Sequence, residues 1–157
     1  MYSLMLIIGE IILLTFLTLL LSISCSNSQT LKCTRVVDGD TIVLNTGERV
    51  RLIGVDTPET KHPRKPVEYY GKEASAFTKK MVEGKEVRLE YDQQKRDKYD
   101  RLLAYVYLKD GTFLNAEIVK QGYGHAYTRF PFKYLEQFRQ YEKEAREAKR
   151  GLWNNRK

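Results

Sequence analysis

Three hydrophobic patterns follow one another along the chain. Leu4 to Leu21 is apolar apart from Gly9, Glu10, Thr15 and Thr18, a length at the border between an export signal and a membrane-spanning helix. No Lys or Arg precedes it, and Ser22-Ile23-Ser24 has the small-x-small form of a cleavage site before Cys25. This reads as a secretory leader, with an uncleaved anchor through residues 4–21 as the alternative and acylation at Cys25 as a third. Short β-branched runs come next, at Cys33–Val37, Thr41–Asn45 and Glu48–Val55, joined by the tight-turn sequences Asp38-Gly39-Asp40 and Thr46-Gly47. They predict an antiparallel meander. Gly54 inside the third run predicts a bulge or bend that lets Arg51 and Asp56 face one pocket despite opposite parity.

From Tyr70 the period lengthens. Tyr70, Ala74, Phe77 and Met81 recur at helical spacing and Gly84 stops the run. Lys85–Tyr91 and Leu102–Leu108 return to strand pattern, Leu114–Gln121 is a short helix closed by Gly122, and Tyr134–Lys149 a longer one. Gly151-Leu152-Trp153 ends it and is expected to bury Trp153. The division is a leader or anchor at 1–24, a linker at 25–32 and one folded domain at 33–157. Five short strands with a helix between the third and fourth suit an α+β fold built on the five-stranded oligonucleotide-binding (OB-fold) barrel.

Charge narrows the class of partner. Lys and Arg number 27 against 20 Asp and Glu, a net +7, which favours a polyanion, either nucleic acid or an anionic membrane surface. The loop from Lys61 to Val67, with Lys61, His62, Arg64 and Lys65 between prolines, reads as exposed. Lys95, Arg96, Arg139, Lys143, Arg146, Lys149 and Arg150 read as a solvated basic face. Cys25 and Cys33 offer no disulfide framework and no Cys-x-x-Cys pair. His62 and His125 are too few and too scattered for a zinc or histidine-based site, and each reads as a surface residue. What remains is carboxylates. Asp38 and Asp40 share one turn, Asp56 and Glu59 another, and Thr57 precedes Pro58, so its carbonyl can be held outward as a further hard oxygen.

Val-Asp-Gly-Asp-Thr at 37–41, Arg-Leu-Ile-Gly-Val-Asp-Thr-Pro-Glu-Thr at 51–60 and Asp-Lys-Tyr-Asp-Arg-Leu-Leu-Ala-Tyr-Val at 97–106 resemble, in order and spacing, the three signatures of the thermonuclease (staphylococcal nuclease) family. The resemblance covers about Cys33 to Trp153. It implies the barrel with three α-helices and a nuclease acting on DNA and RNA, single strands preferred, that leaves 3′-phosphorylated products. It implies one Ca²⁺ at Asp40, Asp56 and Thr57, phosphate held by Arg51 and Arg101, Glu59 as general base, and Lys98, Tyr99 and Tyr127 against the nucleotide. An exported monomer is expected. Asp100 stands where the best-known member has glycine, and Arg129 where it has tyrosine. The competing reading is a barrel of the same fold that binds strands or a protein partner without cutting.

Overall fold

The protein is described here by a computed structural model over residues 30–60 and 66–154. The leader, the first part of the linker and the basic loop 61–65 lie outside the described residues. β1 (Cys33–Asp38), β2 (Thr41–Leu44) and β3 (Arg49–Leu52) form the expected antiparallel meander, with Val36 opposite Ile42 and Ile42 opposite Val50. The third strand is shorter than its sequence pattern. It stops at Leu52, Gly54 turns the chain at φ +75°, and Val55–Asp56 becomes a separate strand, β4. A Cβ at Gly54 would meet the Phe132 ring at 2.7 Å, so the bend needs glycine for both its dihedral and its packing.

The chain then runs through α1 (Gly71–Val82) to β5 (Val87–Glu90) and β6 (Leu102–Leu108). β5 and β6 pair antiparallel, and the strand order is β1-β2-β3-β6-β5. The expectation of five antiparallel strands fails at one seam, because β3 and β6 are parallel, Val50 facing Leu102 and Leu52 facing Ala104. Parallel neighbours need a crossover of a dozen or more residues, and the long excursion from Ile53 to Arg101 supplies it. The outer strands meet at one end: Lys32 bridges Glu86, Cys33 N–H donates to the Lys85 carbonyl at 3.0 Å and Val87 N–H to the Leu31 carbonyl at 2.9 Å. That seam wraps the sheet into the OB-fold barrel.

Among the described residues there are three α-helices, as expected. α2 (Leu114–Lys120) packs on β6, whose Leu102, Ala104, Val106 and Leu108 join the core, while Tyr105, of opposite parity, is buried against Phe113 and Tyr134. α3 (Leu135–Glu147) lies on α2 and places Phe138 and Ala145 inside. Burying side chains such as Ile42, Val50, Leu52 and Ile118 contributes about 1.5–3 kcal/mol each. Tyr70 precedes α1 at φ 66° instead of opening its buried stripe, which runs Gly71, Ala74, Thr78 and Val82. A 3-10 turn at Gly151–Trp153 buries Trp153 against Ala145, Leu152 and Tyr70. One strand went unread in the sequence. β7 (His125–Ala126) pairs with β4, setting His125 opposite Asp56, so His125 is half-buried, with Nδ1 3.2 Å from Glu142. Among the described residues no helix is long and apolar enough to cross a membrane.

Candidate active site

The turn between β1 and β2 is the floor of the site. Gly39 N–H closes onto Asp38 Oδ1 at 2.9 Å, and Thr78 of α1 donates its hydroxyl to the Gly39 carbonyl at 2.7 Å. A Cβ at Gly39 would lie 2.7 Å from the Thr57 hydroxyl, so glycine lets the two acidic signatures touch. Asp40 follows and is buried. Its Oδ1 accepts from the Thr41 hydroxyl (2.9 Å), and its Oδ2 accepts from Thr57 N–H (3.1 Å) and the Thr57 hydroxyl (3.2 Å).

Arg51 projects from β3 toward the same point. Its Nη1 donates to the Leu52 carbonyl at 3.1 Å and to the Val55 carbonyl, while Nη2 sits 3.2 Å from Asp40 Oδ2 and 3.2 Å from Asp56 Oδ1. The Gly54 bend is what brings Asp56 back to Arg51, the convergence that the glycine suggested. Burial raises the Asp56 carboxyl above its ordinary value; Arg51 opposes this and the Asp40 charge adds to it.

Glu59 is not among the residues that line the cleft beside Arg51 and Asp56. Its N–H donates to Glu68 Oε2 at 3.1 Å and its carbonyl accepts from Glu68 N–H at 3.0 Å, while its carboxyl shares a hydrogen bond with Asp38. Burial first, and that shared bond second, raise Asp38 to about 6, although Gly39 N–H and both Thr60 donors also hold it. The partner of the expected base is therefore a second carboxyl, that of Asp38.

Arg51, Asp56, Lys98, Tyr99, Arg101 and Tyr127 line one cleft of about 720 Å³, with Asp40 and Thr57 behind Arg51. Arg101 is gripped by Asp97, whose Oδ2 takes Nε at 2.8 Å and Nη2 at 2.7 Å, while Oδ1 accepts the N–H groups of Tyr99 and Arg101. Burial pulls Asp97 upward, but these donors outweigh it and hold it below the usual carboxylate range. Asp100 turns its carboxylate to Arg96 (3.3 Å) and adopts φ +61°, leaving Arg101 to Asp97.

Sequence reading missed two supporting groups. Asn115 is fully buried; its Oδ1 accepts from Val106 N–H at 2.9 Å, and its Nδ2 donates to the carbonyls of Ile53 (2.9 Å) and Ala104 (3.1 Å). It thus ties α2 to β6 and to the bend that aims Asp56. An amide inside an otherwise apolar helical stripe was the available signal. Asp97 was visible at four residues from Arg101, a spacing that reads as a helical pair yet here closes a loop.

Among the described residues no three Asp, Glu, His or Cys side chains form a metal cluster. The site nonetheless suits a hard cation. Two carboxylates meet at one guanidinium, and the charge of one disfavours that of the other. Asp40, Asp56 and the Thr57 carbonyl are oxygen donors of the kind Ca²⁺ and Mg²⁺ prefer, and so few protein ligands leave room for water and a substrate oxygen.

Comparison with known proteins adds an independent line. The sequence model of the family described as "Staphylococcal nuclease homologue" matches residues 49–155. The chain is 46% identical over 137 residues to the thermonuclease of Staphylococcus hyicus, covering 85% of this chain and 80% of that protein. It is 50% identical over 123 residues to the thermonuclease of Staphylococcus intermedius, covering 76% and 73%. It is 44% identical over 126 residues to endonuclease YncB of Bacillus subtilis (strain 168), covering 76% of this chain and 59% of that protein.

Proposed function

The chain belongs to the staphylococcal nuclease homologue family, and on that premise we propose that it is an exported, Ca²⁺-dependent nuclease cutting DNA and RNA with little sequence preference. The observation that carries this reading is the convergence of Arg51, Asp56, Arg101, Lys98, Tyr99 and Tyr127 on one cleft, with Asp40 directly behind. Single strands are the favoured substrate and a 3′-phosphate the product end. Export is supported by the apolar run before Ser22 and the small-x-small sequence preceding Cys25.

Asp40, Asp56 and the Thr57 carbonyl would hold one cation, which when bound withdraws electron density from the phosphoryl oxygens and makes a nearby water a better nucleophile. Arg51 and Arg101 do the rest of the charge work. Each guanidinium stays protonated and matches two phosphoryl oxygens, so negative charge building on phosphorus is met without rearrangement. Without substrate both are parked on carboxylates, Arg51 on Asp40 and Asp56, Arg101 on Asp97. Those partners keep the side chains extended into the cleft. Glu59 takes the proton from the attacking water, a role worth roughly 10²–10⁴ in rate, and swings from Asp38 to do so.

The test is cleavage of single-stranded DNA by the full chain with Ca²⁺. Activity stops on chelation, and Glu59→Gln lowers kcat about 10²–10⁴-fold with little change in KM. Cleavage that survives chelation contradicts the cation requirement, and an unchanged kcat in Glu59→Gln removes the base from its role.

A further inference from the structure

Beside the groups that act on phosphate, the cleft carries a feature that the chemistry above does not use. Phe130 lines it with its side chain largely in water, 62% exposed, and Tyr99, lining it from another segment, is 67% exposed. Each ring has a cation beside it: Lys98 Nζ is 5.0 Å from the Tyr99 centroid and Arg129 Cζ 5.9 Å from that of Phe130. Among the described residues neither Lys98 nor Arg129 has an acidic partner, whereas Arg51 and Arg101 both do.

Phe130 is not exposed because its segment is loose. The backbone is pinned before it by Tyr127 N–H on the Gly54 carbonyl (2.9 Å) and after it by Lys133 N–H on Asp92 Oδ2 (2.8 Å). Phe132 packs edge-on against buried Phe138 at 5.4 Å. Folding thus holds an apolar ring in water without burying it, so its hydrophobic free energy is gained only when something covers the ring.

We propose that Arg129 and Phe130 form a second nucleotide subsite, in which the Phe130 ring stacks on a base and the Arg129 guanidinium pairs with the adjoining phosphate. The base belongs to the same single strand, beyond the nucleotide that Tyr99 and Tyr127 contact. Stacking tolerates any base, and an unpaired guanidinium next to an aromatic face is the charge complement of a polynucleotide backbone. The proposal rests on the nuclease reading for the identity of the strand, while its geometry stands apart from the residues that act on the scissile bond.

The experiment measures binding of a short fluorescent single-stranded DNA to the full chain in chelator, where no turnover intervenes. Phe130→Ala is expected to weaken binding roughly tenfold and Phe130→Trp to restore it, with no Phe130→Ala effect on a strand of the same length lacking bases. Arg129→Gln is expected to lower the slope of log affinity against log salt by about 0.7. Binding by Phe130→Ala within about twofold of wild type, or an equal loss on the baseless strand, overturns the subsite. A wild-type chain that cleaves while Phe130→Ala binds normally rejects the subsite alone. One that shows the expected binding pattern but never cleaves, with any divalent ion, supports the subsite and rejects the nuclease reading.

Discussion

Asp100 sits at φ +61°, in a conformation that costs an ordinary L-residue about 1–2 kcal/mol and glycine almost nothing. Its carboxylate recovers little, since the pair with Arg96 is at the surface, where such pairs are worth about 0–1 kcal/mol. Asp100→Gly is therefore expected to raise stability by about 0.5 kcal/mol in urea denaturation, after the larger unfolded-state entropy of glycine is set against the relieved strain. Asn115 is the opposite case. Asn115→Ala would leave Val106 N–H and the Ile53 carbonyl without their partner, while the Ala104 carbonyl keeps Ile53 N–H, at about 1–3 kcal/mol for each group left unsatisfied. The expected loss is about 3 kcal/mol in the same measurement, and a loss below about 1 kcal/mol would mean that water replaces the amide.

At the scale of elements, the bend between β3 and β4 decides the site. Arg51 and Asp56 reach one point because the chain changes direction at Gly54 and β4 is then fixed by pairing with β7. Gly54→Ala combines a disfavoured dihedral with a Cβ pressed on Phe132 and closer than usual to Phe138, so it is expected to cost at least about 2 kcal/mol and to lower kcat/KM at least tenfold. A stable, fully active variant would show that the bend is not needed. The bend was legible because a glycine inside a β-branched run has few other uses. The pairing that holds it was not, because two-residue strands such as Val55–Asp56 and His125–Ala126 leave no periodicity.

For the whole molecule, acid is the informative stress. Burial pulls Asp92 and Glu142 upward, yet Tyr105, Lys133 and Gln93 donors at Asp92, and His125 and Arg146 at Glu142, outweigh it, so both lie below their ordinary values, as does Asp97. A depressed carboxylate contributes stability that is present above its unfolded pKa, about 4, and is lost as pH falls through the lower folded value. Asp38 and Asp56 are raised instead, so their protonation favours the folded state and does not add to the fall. Stability from denaturant titration should therefore drop as pH falls below about 4, less steeply in Asp92→Asn; a flat profile contradicts these assignments. Asp92, just after β5, joins Tyr105 of β6 to the segment before α3, so its loss should be felt globally.

The acidic and arginine set was named by the resemblance of the three signatures, whereas the five main strand segments and the three helices of the folded domain could be read from the sequence because each is local: period two, period 3.6 or a turn glycine. The pairing of Asp56 with Arg51 was legible for the same reason, being separated by a single bend. Only the tertiary structure decided that β3 and β6 run parallel, that Glu59 rests on Asp38 while Arg101 rests on Asp97, and that Asn115 braces the bend from α2. It also set Phe130 and Tyr99 along one cleft from segments far apart in the chain. These depend on how crossovers and loops return to the barrel, and no pattern within one stretch of chain encodes which distant stretch will lie beside it.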